Sequence, residues 1–119
     1  METQCVRIPL CAGETERFLD WIRSIQNRKT EMLEAMRAEG VSFEFIFLEK
    51  SDGGDSVVFY MQAGSLADAQ RAFAESTLAI DVETRAMIAA CWDTGRASVL
   101  TPCLELAADV ASLRSEPRS

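Results

Sequence analysis

The chain has 119 residues, of which 48% are hydrophobic and 26% are charged, with a net charge of −7 and a pI near 4.6. This length and composition predict one globular domain with a hydrophobic core. The acidic balance argues against nucleic acid as a partner, because phosphate binding requires clustered Lys and Arg. The absence of histidine excludes Ser-His and Cys-His nucleophilic pairs within one chain.

The four cysteines, at positions 5, 11, 91 and 103, form no C-x-x-C motif, so we expect neither a metal site nor a cofactor. The start METQCVRIPL lacks a basic region followed by an apolar run, and no apolar run approaches the roughly 20 residues that span a membrane. We therefore expect a cytoplasmic protein with reduced thiols and no membrane partner. Ten arginines against two lysines, with abundant alanine, suggest a bacterial genome rich in GC.

The first predicted element is a strand at residues 3–10, in which Val6, Ile8 and Leu10 share one face. Arg7 lies within this strand, where an unpaired charge would be costly to bury. One interpretation is an arginine whose stem packs while its head reaches a partner or solvent. The other is an anion-binding group in a cleft.

A long helix is predicted at residues 15–39, because apolar residues recur there at three- and four-residue steps. Thr15 is the expected N-cap, and Gly40 suits the position just after the helix. The apolar stripe weakens over residues 26–30, so this turn should be exposed or kinked.

Residues 41–63 predict an antiparallel hairpin, because two β-rich runs flank a turn that contains Asp52, Gly53 and Gly54. Successive side chains point to opposite faces of a strand. One predicted face of the first strand carries Val41, Phe43, Phe45 and Phe47, and the other carries Ile46 and Leu48. Both faces are partly apolar, so we expect each of them to be covered.

Two shorter helices are predicted after the hairpin, at residues 66–75 and 81–93. Ser65 and Asp68 resemble a capping pair for the first of them. The polar residues 75–77 mark the break between the two helices.

The last predicted element is a strand at residues 97–107, interrupted by Pro102, which implies a bulge or an edge position. We therefore predict a single domain over residues 1–107. Residues 108–119 form a polar tail that we expect to be frayed.

The element order β-α-β-β-α-β predicts an α+β, ferredoxin-like fold with a four-stranded antiparallel sheet in the order 4-1-3-2. Right-handed crossovers place the helices on one face. The other face then carries apolar side chains of the hairpin, which is unusual for a monomer. We therefore predict a homodimer that packs sheet to sheet, as in the dimeric α/β barrels.

Four short segments stand out together with the long predicted helix: CVRIPL, GVSFEFIFLE, VVFYMQA and ESTLAIDVE. They resemble the DUF6176 family of small uncharacterised bacterial proteins, for which no activity is established. The resemblance runs from Cys5 to Leu106 and implies a ferredoxin-like fold of the α/β-barrel type. Relatives often carry histidines in the segment that occupies residues 76–84 here. This chain has none, so a chemistry that depends on histidine is not expected.

The first functional hypothesis is a small-molecule binding protein with a pocket between the sheet and the helices. The side chains expected to line this pocket are Arg7, Glu44, Tyr60, Glu75, Asp81, Arg85 and Trp92. For Arg7 and Glu44 the alternative is an ion pair or a rim position. For the polar residues around the helix break the alternative is helix capping.

The second hypothesis is an enzyme that resembles the cofactor-independent monooxygenases, in which Tyr60, Arg7, Asp81 and Trp92 polarise a substrate or handle a proton. A carboxylate base there would need burial to raise its pKa. The third hypothesis is a structural or interaction module, in which the dimer itself is the function.

Overall fold

The structure is a computed structural model that describes residues 1–106 and 108. Its elements are β1 (Glu2–Pro9), α1 (Thr15–Gln26), α2 (Lys29–Glu39), β2 (Val41–Glu49), β3 (Ser56–Ala63), α3 (Leu66–Glu75), α4 (Ala79–Cys91), a 3₁₀ turn (Thr94–Arg96) and β4 (Ser98–Val99). The antiparallel strands run in the order β2-β3-β1-β4, which confirms the predicted ferredoxin-like topology. Apart from residue 108, the predicted tail lies outside the described residues.

The predicted helix at residues 15–39 is two helices, α1 and α2, because the chain breaks at Asn27 and Arg28. The polar run at this point has no apolar side chain to bury. Instead, the Arg28 guanidinium binds Glu31 at 2.8 Å and Glu83 of α4 at 2.5 Å. Within the described residues, no helix is both long enough and apolar enough to cross a membrane.

Two of the three residues predicted to end or cap a helix do so in the structure. Ser65 Oγ accepts a hydrogen bond from the Asp68 backbone N–H at 3.1 Å, which confirms the predicted cap of α3. Gly40 ends α2 with a φ of 76°, a left-handed conformation that favours glycine. The prediction for Thr15 was wrong: it is the first helical residue, and its hydroxyl donates to Asp55 Oδ2 at 2.7 Å.

The register of β2 separates its two faces. It shifts between Val41 and Phe43, so Val41 lies on the face covered by helices. Its predicted grouping with the phenylalanine row was therefore wrong. Phe43, Phe45 and Phe47 lie on the face of the sheet that the helices do not cover, and they are 52%, 48% and 56% exposed. We call this face, which also bears Tyr60, the open face.

The core lies between the sheet and the helical layer. One cluster joins α1, β3 and α4 through Phe18, Val57 and Cys91, which are nearly inaccessible to solvent. A second joins β2, β3 and α3 through Val41 and Ala69. Together they hold the helices against one face of the sheet, as the crossover rule predicts.

The last helix and strand are shifted or shorter than predicted. Helix α4 starts two residues early and ends at Cys91, because Trp92 leaves the helix to form a bridge with Leu10. Within the described residues, the predicted strand at residues 97–107 is only Ser98–Val99, paired with β1, and residue 107 lies outside them. Pro102 cannot donate a ladder hydrogen bond, and the described chain after Leu100 is irregular and exposed.

Candidate functional site

A cavity of about 160 Å³ lies between the helix-facing side of the sheet and the four helices. Every helix and the strands β1, β2 and β3 contribute to its wall. The lining side chains are Gln4, Trp21, Met32, Met36, Glu39, Val41, Glu44, Ile46, Phe59, Met61, Ala69, Gln70, Phe73, Asp81, Thr84, Met87, Ile88 and Trp92. Most of the wall is apolar, and a few polar groups converge on it, as in small-molecule sites generally.

Three carboxyl groups enter this cavity from three different elements. Glu39 is the last residue of α2, Glu44 is in the middle of β2, and Asp81 is in the first turn of α4. Among the described residues, no Lys or Arg lines the cavity. The wall therefore concentrates acidic groups in an apolar setting without a lining cation.

Glu39 lies near Asp81, and two ionised carboxylates have only acceptors to offer each other. Burial, followed by the neighbouring Asp81 carboxyl and the charge of Glu44, raises the pKa of Glu39 to about 8. The negative end of the α2 dipole acts in the same direction, because Glu39 is the last residue of that helix.

Glu44 is the third acidic group of the cavity. Burial, followed by the charge of Asp81, raises the pKa of Glu44 to about 7. Such a carboxyl exchanges its proton near neutral pH, where an unperturbed glutamate is fully ionised. The cavity thus has two proton-holding groups next to Asp81.

Four buried polar atoms of the cavity wall have no hydrogen-bond partner within the described part of the chain: Glu39 Oε2, Asp81 Oδ2, Trp21 Nε1 and Trp92 Nε1. Asp81 is only 2% exposed. Buried polar atoms are nearly always paired, and each exception calls for an explanation. A bound molecule with complementary donors and acceptors would satisfy these atoms.

The carboxyl groups do not form a metal centre. Over residues 1–106 and 108, no three His, Cys, Asp or Glu side chains are placed to hold one metal ion. The acidic groups therefore surround the cavity rather than converge on a single point.

Of the seven residues predicted to line the pocket, Glu44, Asp81 and Trp92 do so. Arg7 and Tyr60 lie on the opposite, open face of the sheet. Arg7 Nε donates to Glu49 Oε1 at 3.0 Å, as the ion-pair interpretation anticipated. The Tyr60 hydroxyl accepts from Gln62 Nε2 at 2.7 Å. Arg7 and Asp81 thus share no cavity.

Glu75 and Arg85 also lie off the cavity wall. Glu75 is exposed at the end of α3. Arg85 donates to the backbone oxygens of Phe73 at 2.6 Å and Ser76 at 2.8 Å, and so satisfies carbonyls at the end of that helix. The helix break is therefore organised by capping, the alternative interpretation of its polar residues.

The sequence did not reveal the cavity-lining positions of Glu39 and Trp21. One signal pointed to Glu39: an acidic residue directly before the terminal glycine of a helix opposes the helix dipole. Trp21 had no such signal, because its spacing is that of ordinary core residues.

The fold is similar to that of two solved structures. One is an L-rhamnose mutarotase from Formosa agariphila, with a TM-score of 0.59 and 12% identity over 90% of this chain and 100% of that chain. The other is a putative antibiotic biosynthesis monooxygenase from Nitrosomonas europaea, with a TM-score of 0.55 and 16% identity over 87% and 100%. At these identities the likeness shows the fold alone.

No curated protein matches the chain by sequence. A family model, however, covers nearly all of it, from residue 1 to residue 112. The chain therefore belongs to the family of unknown function DUF6176, which the short motifs of its strands and helices predicted.

Proposed function

We propose that this protein is a homodimeric bacterial protein of the cytoplasm that binds a small molecule in the cavity between sheet and helices. The observation that carries the proposal is the set of four unpartnered polar atoms around one largely apolar space. A preformed apolar cavity with a few polar groups is the usual form of a ligand site. The free cysteines of the described residues support a reducing compartment.

The size of the cavity limits the ligand. An engineered cavity of about 150 Å³ holds benzene, and the space here is about 160 Å³. The ligand is therefore about one six-membered ring in size. It offers hydrogen-bond donors to the carboxyl oxygens that have no partner among the described residues.

A screen of ring-sized metabolites by thermal shift and two-dimensional NMR tests binding. A ligand at 100 times its Kd raises the unfolding free energy by about 2.7 kcal/mol. The variant Ala69→Leu, which fills part of the cavity, should abolish the effect. Ala67→Leu is the matched control, since Ala67 is exposed on the same helix. Failure of every compound to bind would favour the structural or interaction module.

The open face supports the dimer. The Phe45 ring stacks between those of Phe43 and Phe47, with centroids 6.1 and 6.4 Å apart, and it also contacts the Tyr60 ring at 6.0 Å. Exposed apolar patches of this kind mark interaction sites. A second copy of the same sheet offers a partner surface of the same apolar character.

Light scattering after size-exclusion chromatography tests the dimer at micromolar concentration. We expect about twice the chain mass of 13.2 kDa. Phe45→Glu should yield a folded monomer, whereas Val82→Glu, at an equally exposed position on α4, should remain dimeric. A wild-type mass near that of one chain would contradict the dimer.

A second candidate function is a proton-transfer enzyme, favoured by the two cavity carboxyl groups, Glu39 and Glu44, whose pKa values are raised. Acid and base groups work best when their pKa lies near the operating pH, and Glu39 and Glu44 have values of about 8 and 7. The mutarotase with the same fold supports anomer exchange of a reducing sugar. One carboxyl would donate a proton to the ring oxygen while a carboxylate removes that of the anomeric hydroxyl. The monooxygenase alternative assigned roles to Tyr60 and Arg7, which lie on the other face.

Anomer equilibration of freshly dissolved monosaccharides, followed by NMR, tests this activity. The protein should accelerate it, and Asp81→Asn should remove most of the acceleration. Glu34→Gln, at an exposed position of α2, is the matched control. An unchanged spontaneous rate across reducing sugars would exclude the activity.

A further inference from the structure

We infer that the cavity selects a small organic cation, a protonated amine on a single ring or a short hydrocarbon. This inference rests on the proposed binding function and names the chemical class of its ligand. The juxtaposition that carries it is three acidic side chains and two indoles around one largely apolar cavity.

The charge of the wall is the first argument. Glu39, Glu44 and Asp81 face a cavity whose lining holds no described Lys or Arg. The nearby cation Arg85 is bound to two backbone oxygens at the end of α3. A buried carboxylate without a counterion is costly. A ligand ammonium would supply the charge that the wall lacks.

The free acceptor on Asp81 is the second argument. This side chain is 98% buried, yet its Oδ2 has no partner within the described residues. An ammonium group has donors only, so it can serve Asp81 Oδ2 and Glu39 Oε2 together. Charge-assisted hydrogen bonds of this type are about twice as strong as neutral ones.

The aromatic wall is the third argument. Trp21, Trp92, Phe59 and Phe73 line the cavity with four methionines. Ring faces attract cations within about 6 Å, and tryptophan does so best. Methionine adapts its shape to apolar ligand groups. The wall thus accommodates both the charge and the hydrocarbon part of an amine.

A metal ion fits the cavity less well, because among the residues that the structure describes no three carboxylates are placed to ligate one. A neutral polyol would leave the acidic wall without a counter-charge. Besides burial, the charges of Asp81 and Glu44 raise the pKa of Glu39 and that of Arg85 lowers it, while the charge of Asp81 raises the pKa of Glu44. An entering ammonium would therefore displace protons from Glu39 and Glu44, a consequence absent for a neutral ligand.

The test compares two probes of equal shape, cyclohexylammonium and cyclohexanol, by thermal shift and by calorimetry in two buffers of different ionisation enthalpy. We expect the amine to bind at least tenfold more tightly, with proton release that a neutral probe does not cause. Asp81→Asn and Glu44→Gln should each reduce amine affinity about tenfold and reduce cyclohexanol affinity by much less. Glu34→Gln should bind like wild type.

The outcomes separate the two proposals. Equal affinity for both probes, or amine binding without proton release, overturns cation selection and leaves ligand binding intact. Binding of neither probe by a protein that also binds no compound of the metabolite screen overturns both. Because Asp81→Asn alters the first turn of α4, Glu44→Gln decides the charge dependence if that variant fails to fold.

Discussion

The two faces of the sheet are built from the same strands, but they differ in how far helices cover them and in the side chains they carry. The helix-facing side holds the core and a cavity with three carboxyl groups. The open face holds a stacked phenylalanine row and one exposed ion pair. In β2, neighbouring residues alternate between these environments, so Glu44 faces the cavity and is partly buried while Phe43 and Phe45 are half exposed.

The difference shows that polarity and burial can be reversed along one strand. A charged residue is on the inside and aromatic residues are on the outside, against the usual trend. Such an inversion is costly unless each side meets a partner. We interpret the inside as a ligand site and the outside as an interface.

The largest effect is expected from Phe18→Ala on the covered side. Phe18 is 1% exposed and contacts both tryptophan rings of the cavity wall. Its truncation should lower the unfolding free energy by about 3–5 kcal/mol. Urea denaturation should give the same loss at every protein concentration. A loss below about 1 kcal/mol would show that the covered side is not the core.

Phe45→Ala is the matched change on the open face. Phe45 is 48% exposed in one chain, so the loss should be about 2–4 kcal/mol where the dimer forms. This loss of unfolding free energy should fall below about 1 kcal/mol at protein concentrations so low that the wild-type dimer dissociates. Denaturation across a range of concentrations measures this. A loss independent of concentration would contradict the interface.

The covered side should also make stability depend on pH. The pKa values of Glu39 and Glu44 are raised from 4.5 to about 8 and 7, so the folded state binds more protons than the unfolded state between these values. The stability that these two groups contribute is therefore greatest below about pH 4.5. It is lost as the pH rises through about 7 for Glu44 and about 8 for Glu39. Allowing for solvent screening, we expect a loss of about 2 kcal/mol.

Denaturation midpoints from about pH 5.5 to pH 9 measure that loss. Glu39→Gln should flatten the profile and exceed wild-type stability at the alkaline end. Glu34→Gln, on the exposed side of the same helix, should follow the wild-type profile. An unchanged slope in Glu39→Gln would mean that its carboxyl is ionised throughout.

The smallest effect is expected from Arg7→Gln on the open face. Its ion pair with Glu49 has side chains that are 43% and 49% exposed. Exposed pairs contribute less than about 1 kcal/mol. Thermal denaturation at low and high salt should give nearly equal differences from wild type. A loss above about 2 kcal/mol would indicate a buried pair.

The fold followed from local chemistry to a large extent. The alternation in the hairpin, the Ser65 cap and Gly40 each specify an element through nearest neighbours. The break at Arg28 was visible only as a weak stripe, because its cause is an ion pair with Glu83, 55 residues away in the chain. The short β4 depends on its pairing with β1, which Pro102 alone did not define.

Less of the candidate site than of the fold could be predicted from the sequence. Glu44 was recognisable as a charged residue within a strand, and Trp92 as an aromatic residue of a predicted helix. Arg7 and Tyr60 were assigned to the wrong side of the sheet, since a strand pattern does not reveal which face the helices cover. Glu39 is part of the site only because the tertiary fold brings the end of α2 next to Asp81 at the start of α4.

By itself, the sequence determined the order of elements, the topology, the family and the alternation that makes both sheet faces apolar. These features depend on residue periodicity and turn chemistry, which act over a few neighbours. Only the tertiary structure decided that the phenylalanine row points away from the helices and that Glu39, Glu44 and Asp81 share a cavity. Burial and carboxyl coupling arise between distant segments, and no local pattern encodes them.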